Sequence, residues 1–533
     1  MPFLEQETYE LLQQVARFFA RQHQSEVYLV GGALRNLLLN SPSVDWDLVV
    51  AGEAPRLARQ LADALGGYYA HMHEKASRVV IRRPQGEWII DVAPLTGSIE
   101  EDLRQRDFTI NAIALPLDAL LHTAAPSSLT SLPWIDPCGG LADAQAGLLR
   151  AVNAQVFQAR PVRLLRAIRF ARRYSLRIEP ATEALIRRDA RLLTEEVAER
   201  LLSELYKLLE LEDATRSLRL LDRYGLLTVL VPELGPARGM PQPPPHYWDV
   251  FEHSLETVSA LEAVAHALQS EPRPLDELSC AAWCQPLLLG PDQTDHLAQL
   301  RALVAEATRQ GLLSFSELTK PAFKLAALLH DIGKPATLSY DEEGTSHFYG
   351  HQQAGTPLAE GVMKRLSTSG HDRHLVRLVT LHHMRPGQLA RQEFVTPRAI
   401  RRYFVDLGAY GLHVALFSLA DHLATYGPGY HLRPAGAWEA HLACVALLFR
   451  SYLYERERFL PTRLLSGHEL MRRLGLQPGP LVGELLEIIA EARAEERIHS
   501  KEEALWLARE YLQTHEAHTA SRTEEHDSSS PSS

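Results

Sequence analysis

One short stretch reads as strand, glycine pair, helix and strand: Val27–Val30, Gly31-Gly32, Ala33–Leu39, then Val44–Val50. That order constrains the fold more than any other feature, because it commits the N-terminal region to a sheet with helices packed against it. Side chains alternate along a strand, so Val44, Trp46, Leu48 and Val50 share one face while Asp45 and Asp47 share the other. Neighbouring carboxylates repel and raise one another's pKa unless something positive lies between them. A hard divalent cation answers that, and Mg²⁺ is commonly held by one or two carboxylates together with substrate phosphates. Gly31 and Gly32 carry no side chains, so backbone N–H groups at the helix start can approach a triphosphate, and Arg35 adds a charge one turn later.

The same domain continues through a helical segment at Pro55–Leu65 and apolar strands at Arg78–Ile81 and Trp88–Val92, with a turn at Pro84-Gln85-Gly86. An amphipathic helix over residues 1–24 precedes it. Asp91 lies on the strand face opposite Trp88 and Ile90, where it reads equally as a third metal carboxylate or an edge-strand acid. Arg106, Asp107 and Asn111 bring a cation, a carboxylate and an amide together, groups that suit a phosphate, a ribose hydroxyl and a sugar or base. After Gly139-Gly140 the strand signals almost vanish and the chain reads as successive amphipathic helices. The Pro-rich stretch Pro236–Pro245 marks a boundary, since repeated prolines cannot continue a helix.

With 533 residues the chain exceeds what one core supports. The expected division is a head (1–140), a helical neck (141–240), a metal-binding helical domain (241–430), a helical tail (431–514) and a disordered polar tail (515–533), with residues 268–320 less clearly patterned. A formal net charge of −11 excludes a globally basic nucleic-acid binder but not a local basic patch. Such a patch exists: Arg150 to Arg191 holds eleven Arg and no Lys against Glu179, Glu183 and Asp189. Four cysteines (Cys138, Cys280, Cys284, Cys444) form no CxxC pair and no disulfide framework. The acidic N-terminal stretch is unlike a signal peptide and no apolar run is long enough to span a bilayer, so a reduced, cytoplasmic protein with no membrane partner is expected.

The segments YLVGGALRNLLL, VDWDLVV, RDFTINAIA, IDPCGGLADAQAGLLRAV and PVRLLRAIRFARRYSLRIEP, in this order, resemble the bacterial tRNA nucleotidyltransferase (CCA-adding enzyme)/poly(A) polymerase family. The resemblance covers about residues 25–235 and implies a polymerase-β-like α/β head on an all-α neck. It implies that Asp45 and Asp47 hold Mg²⁺, that Gly31, Gly32 and Arg35 face the triphosphate, and that Arg106, Asp107 and Asn111 border the nucleotide. Three positions depart from the family pattern. Asn36 stands where the family has Asp, Gln105 where it has Arg, and Arg160 where it has the Asp that reads the base edge; the Arg of that last motif survives as Arg163. In the neck, Leu164, Leu165 and Ile168 form an apolar stripe that leaves Arg163, Arg166, Arg169, Arg172 and Arg173 for nucleotide (Arg163, Arg166) or RNA (Arg169, Arg172, Arg173) contact. The charged Glu195–Glu210 stretch reads as weak surface ion pairs.

A second constellation begins at His253. His330-Asp331 closes the apolar run LAALLHDIGK, His351 follows in FYGHQQAG, His382-His383 ends LVRLVTLHHMRP, and Asp421 lies in LHVALFSLADHLAT. Each sits where an apolar helix begins or ends, and buried polar groups need partners that a metal supplies several at a time. His253, His330-Asp331 and Asp421 resemble the HD-domain metal-dependent phosphohydrolases. That resemblance implies these four as ligands of a divalent metal, with His351 and His382 (or His383) completing a second position and Lys334 meeting a phosphate.

The expected function is template-independent addition of CMP, AMP or both to the 3′ end of tRNA or another RNA, from CTP and/or ATP, beside an HD phosphohydrolase. Asn36, Gln105 and Arg160 motivate a second reading: an HD phosphohydrolase whose degenerate head only binds RNA or nucleotide.

Overall fold

The structure, a computed structural model, describes residues 6–24, 26–43, 45–73, 76–84, 86–122, 132–269, 283, 294–432, 434–460 and 464–527. It divides into two compact units, Met1–Leu211 with Arg216–Pro232, and Glu212–Thr215 with Glu233–Ser533.

The first unit opens with α1 (Gln6–Arg21), β1 (Val27–Val30), α2 (Gly32–Leu38), β2 (Asp45–Val50) and α3 (Ala54–Leu65). It continues through β3 (Tyr68–His73), β4 (Ala76–Arg83), β5 (Gly86–Pro94), α4 (Ile99–Arg104) and β6 (Ala114–Pro116). The six strands form one sheet in the order β3-β4-β5-β2-β1-β6, with β2 and β5 parallel and every other neighbouring pair antiparallel. The alternation along β2 decides its faces: Trp46, Leu48 and Val50 join the main core with Leu12, Val15 and Phe19 of α1 and Leu57 and Leu61 of α3. Each such buried side chain contributes roughly 1.5–3 kcal/mol. Val49, on the face shared with Asp45 and Asp47, joins a smaller cluster with Val30, Ile99 and Leu103. Ser98 and Glu101 cap α4 reciprocally, Glu101 N–H to Ser98 Oγ at 3.2 Å and Ser98 N–H to Glu101 Oε2 at 3.0 Å. Helices Arg163–Arg173, Pro180–Asp189 and Ala198–Leu209 follow, and Leu164, Leu165, Ala167, Ile168 and Phe170 are the buried stripe of the first.

The second unit is almost wholly helical. Its apolar interior includes Phe323, Leu325 and Leu328 of Pro321–Leu329 and Val414, Phe417 and Leu419 of Tyr410–Tyr426. Part of the weakly patterned 268–320 stretch lies outside the described residues. The described part holds a regular helix, Thr294–Arg309, which buries Leu297, Leu300, Val304 and Ala307 and whose Arg301 donates to the Ala267 carbonyl at 2.8 Å. The last helix runs from Lys501 to Asp527, so the expected disordered tail is helical at least as far as Asp527. The stretch is polar but carries neither Gly nor Pro before Asp527, and polarity alone does not stop a helix. Among the described residues, no single helix is long and apolar enough to cross a membrane.

Candidate nucleotide cleft and candidate metal centre

The β1–α2 turn places the head's acids. Gly31 has φ +72°, a backbone conformation that favours glycine, and a Cβ there would stand 2.8 Å from Arg106 Nη1 and 3.2 Å from Asp47 Oδ2, so a side chain would displace both groups. Asp47 is half-buried and accepts from the Gly32 N–H. Its β5 neighbour in register is Asp91. Burial first, and then the Asp91 charge, push the Asp47 carboxyl up, against the pull of Arg106 and the Gly32 N–H. A carboxylate held under such strain fits a cation. Asp45 shares its strand face but is exposed and lies outside the cleft lining, and Asp91 is taken by a bidentate pair with Arg78 at 2.8 Å.

Asp47 lines a cleft of about 310 Å³ with Gly31, Gly32, Arg35, Arg106, Asp107, Asn111, Arg163, Arg166, Arg169 and Phe170. Head and neck residues interlock around it. Arg106 is held by Asp102 (3.0 and 2.9 Å). The buried Asp107 accepts from Asn111 Nδ2 at 2.8 Å and pairs with Arg166 at 3.0 Å. Burial alone would raise the Asp107 carboxyl, but Arg166 and the Asn111 amide override it and hold it below the usual range. Arg35 is buried between the Phe170 and Tyr174 rings, 4.6 and 4.7 Å from their centroids. It donates to Asn36 Oδ1 and the Tyr174 hydroxyl, both at 2.8 Å from Nη2, and to Asn111 Oδ1 at 2.8 Å from Nη1. Burial pushes its pKa down. Its hydrogen-bond acceptors are all neutral, which leaves a cation suited to an anionic ligand.

Two readings from sequence need revision. Arg169, expected on an RNA-facing surface, lines this cleft and pairs with Glu204 at 2.8 Å. Glu204, expected in a surface ion pair, is buried and also meets Arg166 at 3.4 Å. Phe170 and Tyr174, which fix Arg35, were not singled out; an aromatic pair at helical spacing inside an Arg-rich helix was the available signal. Arg163 donates to the carbonyls of Gln105 (3.0 Å) and Val156 (3.3 Å), Arg172 donates to Ser217 Oγ at 3.2 Å, and Arg173 is exposed beside the Tyr174 ring.

In the second unit five helices converge. His253 comes from Val250–Ala267, His330 and Asp331 follow Pro321–Leu329, His351 begins His351–Arg365, His383 follows Gly370–His382, and Asp421 projects from Tyr410–Tyr426. Gly333 makes part of this possible, because a Cβ there would lie 2.1 Å from the His351 carbonyl oxygen. His253 Nε2 is 3.0 Å from Asp421 Oδ1, and His330 Nε2 is 3.2 Å from Asp331 Oδ2 and 3.5 Å from Asp421 Oδ1. His351 Nε2 is 3.3 Å from Asp331 Oδ1 and 3.3 Å from His383 Nε2. The Nδ1 atoms of His330, His351 and His383 meet the carbonyls of Ala327, Phe348 and Thr380 at 2.8, 2.8 and 3.0 Å. Those carbonyls accept from Nδ1–H, so each Nε2 is turned towards the cluster.

With Nδ1 protonated on both rings, the His351 and His383 Nε2 lone pairs face one another at 3.3 Å, an arrangement that a shared cation relieves. His330 Nε2 and Asp331 Oδ1 are also buried without a hydrogen-bond partner. The residues fit a divalent metal, and two ligand sets emerge: His253, His330 and Asp421, and His330, Asp331 and His383. His382 is the correction here. It is half-exposed and its electrostatic neighbours are Arg385, Asp406 and Arg377, since one residue's rotation along the helix turns it away from the cluster that His383 enters. Burial would depress His330, but the Asp331 and Asp421 carboxylates override it and raise His330 to about 10, so a metal would take its Nε2 by displacing a proton; burial and the His330 charge push His383 down to about 3. Lys334 pairs with Asp331 at 2.5 Å and donates to Gln242 at 2.6 Å. The adjoining cavity, about 970 Å³, is lined by Lys334, His351, His383 and Asp421 among others.

A mixed sheet bearing carboxylates beside a glycine turn, an arginine-rich helical neck and a His/Asp-lined helical domain define a polymerase-type nucleotidyltransferase joined to an HD domain. Comparison agrees: residues 27–150 match the poly(A) polymerase head domain family, 175–237 the "probable RNA and SrmB-binding site of polymerase A", and 296–426 the HD domain. The A-adding tRNA nucleotidyltransferase of Deinococcus radiodurans is 33% identical over 485 residues, covering 89% of this chain and 93% of the relative. The CC-adding tRNA nucleotidyltransferase of Thermus thermophilus is 30% identical over 488 residues, covering 90% and 92%. The solved Thermotoga maritima CCA-adding enzyme complexed with tRNA shares the fold at a TM-score of 0.51 and 22% identity, with 96% of each chain covered. The chain belongs to the tRNA nucleotidyltransferase family and is an enzyme of nucleotidyl transfer.

Proposed function

We propose that the protein acts in the cytoplasm and extends tRNA 3′ ends without a template, adding CMP, AMP or both. The RNA 3′-hydroxyl attacks the α-phosphate of CTP or ATP, and pyrophosphate leaves. The observation that carries this is the cleft in which Asp47 sits beside Gly31 and Gly32, faced by Arg35, Arg106, Arg163, Arg166 and Arg169. Asp47 with Asp45 would hold Mg²⁺, which when bound offsets phosphate charge and favours the ionised hydroxyl. Gly31, Gly32, Arg35 and Arg106 receive the triphosphate; Asp107 and Asn111 order the sugar side through Arg166; Arg163 borders the base; Arg172 and Arg173 contact RNA. In this reading the functional parts are a head (1–140), neck (141–240), HD domain (241–430) and helical tail (431–514). One of the departures that motivate a degenerate head makes side-chain bonds in the cleft: Asn36 Oδ1 accepts from Arg35 and Tyr174.

The histidine–aspartate cluster supports a second activity in the same chain. His253, His330, Asp331, His351, His383 and Asp421 would hold one or two divalent metals, and Lys334 would meet the phosphate of a small ester or RNA end. The test is incubation of tRNA lacking its 3′ terminal nucleotides with Mg²⁺ and each nucleoside triphosphate separately, reading product length on a gel. Extension with CTP, ATP or both is expected, and no extension with any nucleotide refutes the proposal.

A further inference from the structure

The cavity beside the histidine–aspartate cluster, about 970 Å³, is far larger than a phosphate group alone would fill. Among its described lining residues the acids are the cluster's own Asp331 and Asp421, and the fixed cations are Lys334, Arg385 and Arg391. Two of those cations have carboxylate partners, Lys334 with Asp331 and Arg385 with Asp406 at 2.7 Å. Arg391 differs: it is exposed, and among the described residues its guanidinium makes no hydrogen bond or ion pair. Helix phase aims it. Met384, Gly387, Gln388 and Arg391 fall at i, i+3, i+4 and i+7 along Met384–Ala390 and its C-cap, and all four line the cavity. His441 packs on that helix, 3.6 Å from where a Gly387 Cβ would stand, and feels both the Asp421 carboxylate and the Arg391 guanidinium. At the rim, Tyr349 is 78% exposed, and His347 stacks on one face of its ring at 5.1 Å with 12° between the planes. Asp341 holds that histidine at 2.8 Å. An aromatic ring braced from behind suits a planar base of any kind, and a guanidinium fork without a partner suits a phosphate.

We propose that this cavity takes a nucleotide carrying two phosphates, one at the histidine–aspartate cluster and the other on Arg391, with the base against Tyr349. Water adds to the phosphorus of the first phosphate and its ester P–O bond breaks. The ester oxygen leaves with a proton as an alcohol, beside inorganic phosphate. A free nucleoside bisphosphate and the terminal nucleotide of an RNA that ends in a phosphate share this chemistry. The inference rests on the proposed phosphohydrolase activity of the same cluster and names its substrate class.

The full-length protein, loaded in turn with Mg²⁺, Mn²⁺ or Co²⁺, is given 3′-AMP, 5′-AMP, adenosine 3′,5′-bisphosphate or the dinucleotide ApAp, which ends in a 3′-phosphate, and released phosphate is measured. The better of the two substrates with a second phosphate should exceed both monophosphates in kcat/KM by about tenfold. If that substrate is ApAp the source is an RNA end, and if it is the bisphosphate the source is a free nucleotide. Arg391→Gln should erase the preference, mainly through KM, and Arg391→Lys should keep part of it. Tyr349→Ala should raise KM for the nucleotides by about tenfold relative to ribose 5-phosphate, which has no base. In the wild type, the preferred substrate should protect Arg391 from a guanidine-modifying dicarbonyl reagent at concentrations where the monophosphates do not, a readout independent of turnover. A wild type without the preference, or a preference that survives in R391Q, overturns the proposal, as do equal KM changes in Y349A for nucleotides and ribose 5-phosphate. If all the phosphate esters are hydrolysed alike and Arg391 is not protected, the two-phosphate site alone fails. If none is hydrolysed with any metal but the protection holds, the hydrolase reading fails and the two-phosphate site stands.

Discussion

The two candidate sites solve the burial of charge in opposite ways. In the HD cluster the ligands come from five helices, and backbone carbonyls orient three imidazoles so that their Nε2 atoms converge. In the head, Asp47 is half-buried, Asp45 is exposed, and the arginines across the cleft are held by Asp102, Asp107 and Glu204. One site is assembled around an expected ion. The other is an array of charges whose balance is completed by a nucleotide and its metal. Under the proposed function, the difference suits a cluster that would keep its metal and a transfer cleft that reloads with every nucleotide.

The largest expected effect breaks the comparison at the head. Asp47→Ala should reduce nucleotide incorporation by on the order of 10³-fold or more, while metal content of the HD cluster, read by elemental analysis, stays at the wild-type level. Next, His383→Ala should strip metal from the cluster and lower the melting temperature of the metal-loaded protein, whereas His382→Ala should leave both near wild type. Equal losses in the two variants would return His382 to the ligand set.

A smaller effect concerns the Asp107–Arg166 pair. Asp107→Asn should cost roughly 2–3 kcal/mol in denaturant unfolding, less than the ~3–5 of a wholly buried pair, because the Arg166 side chain is 34% exposed. Because the folded-state carboxyl is depressed, its contribution is present above the unfolded carboxylate pKa and is lost as pH falls through the lower folded value. The gap between wild type and variant should therefore close in acid. Smallest, Ser98→Ala should cost about 1 kcal/mol through loss of the α4 cap, with incorporation unchanged.

Local pattern made much of this legible. The period of two in β2 sorts Trp46, Leu48 and Val50 from the acids, and the glycine pair locates the turn where Gly31 takes φ +72°. What pattern did not reveal was which partner a charge finds at long range. Glu204 and Arg169 are 35 residues apart, and nothing local distinguishes a buried pair from a solvated one. His382 and His383 are equal in composition, and only the helix phase at its last turn separates them. Strand β6, Ala114–Pro116, is too brief to show a period, and β3, six residues at the sheet edge with no buried side chain over 68–72, has no apolar face to show one.

Arg35 has a further consequence. Two rings of the neck and two amides of the head grip the same guanidinium. The jaws of the cleft are thus bolted at their base, and their gap is set by a fixed fastening. Under the proposed function that fastening also seats the triphosphate, so loosening it should shift phosphate and neck together and slow incorporation itself.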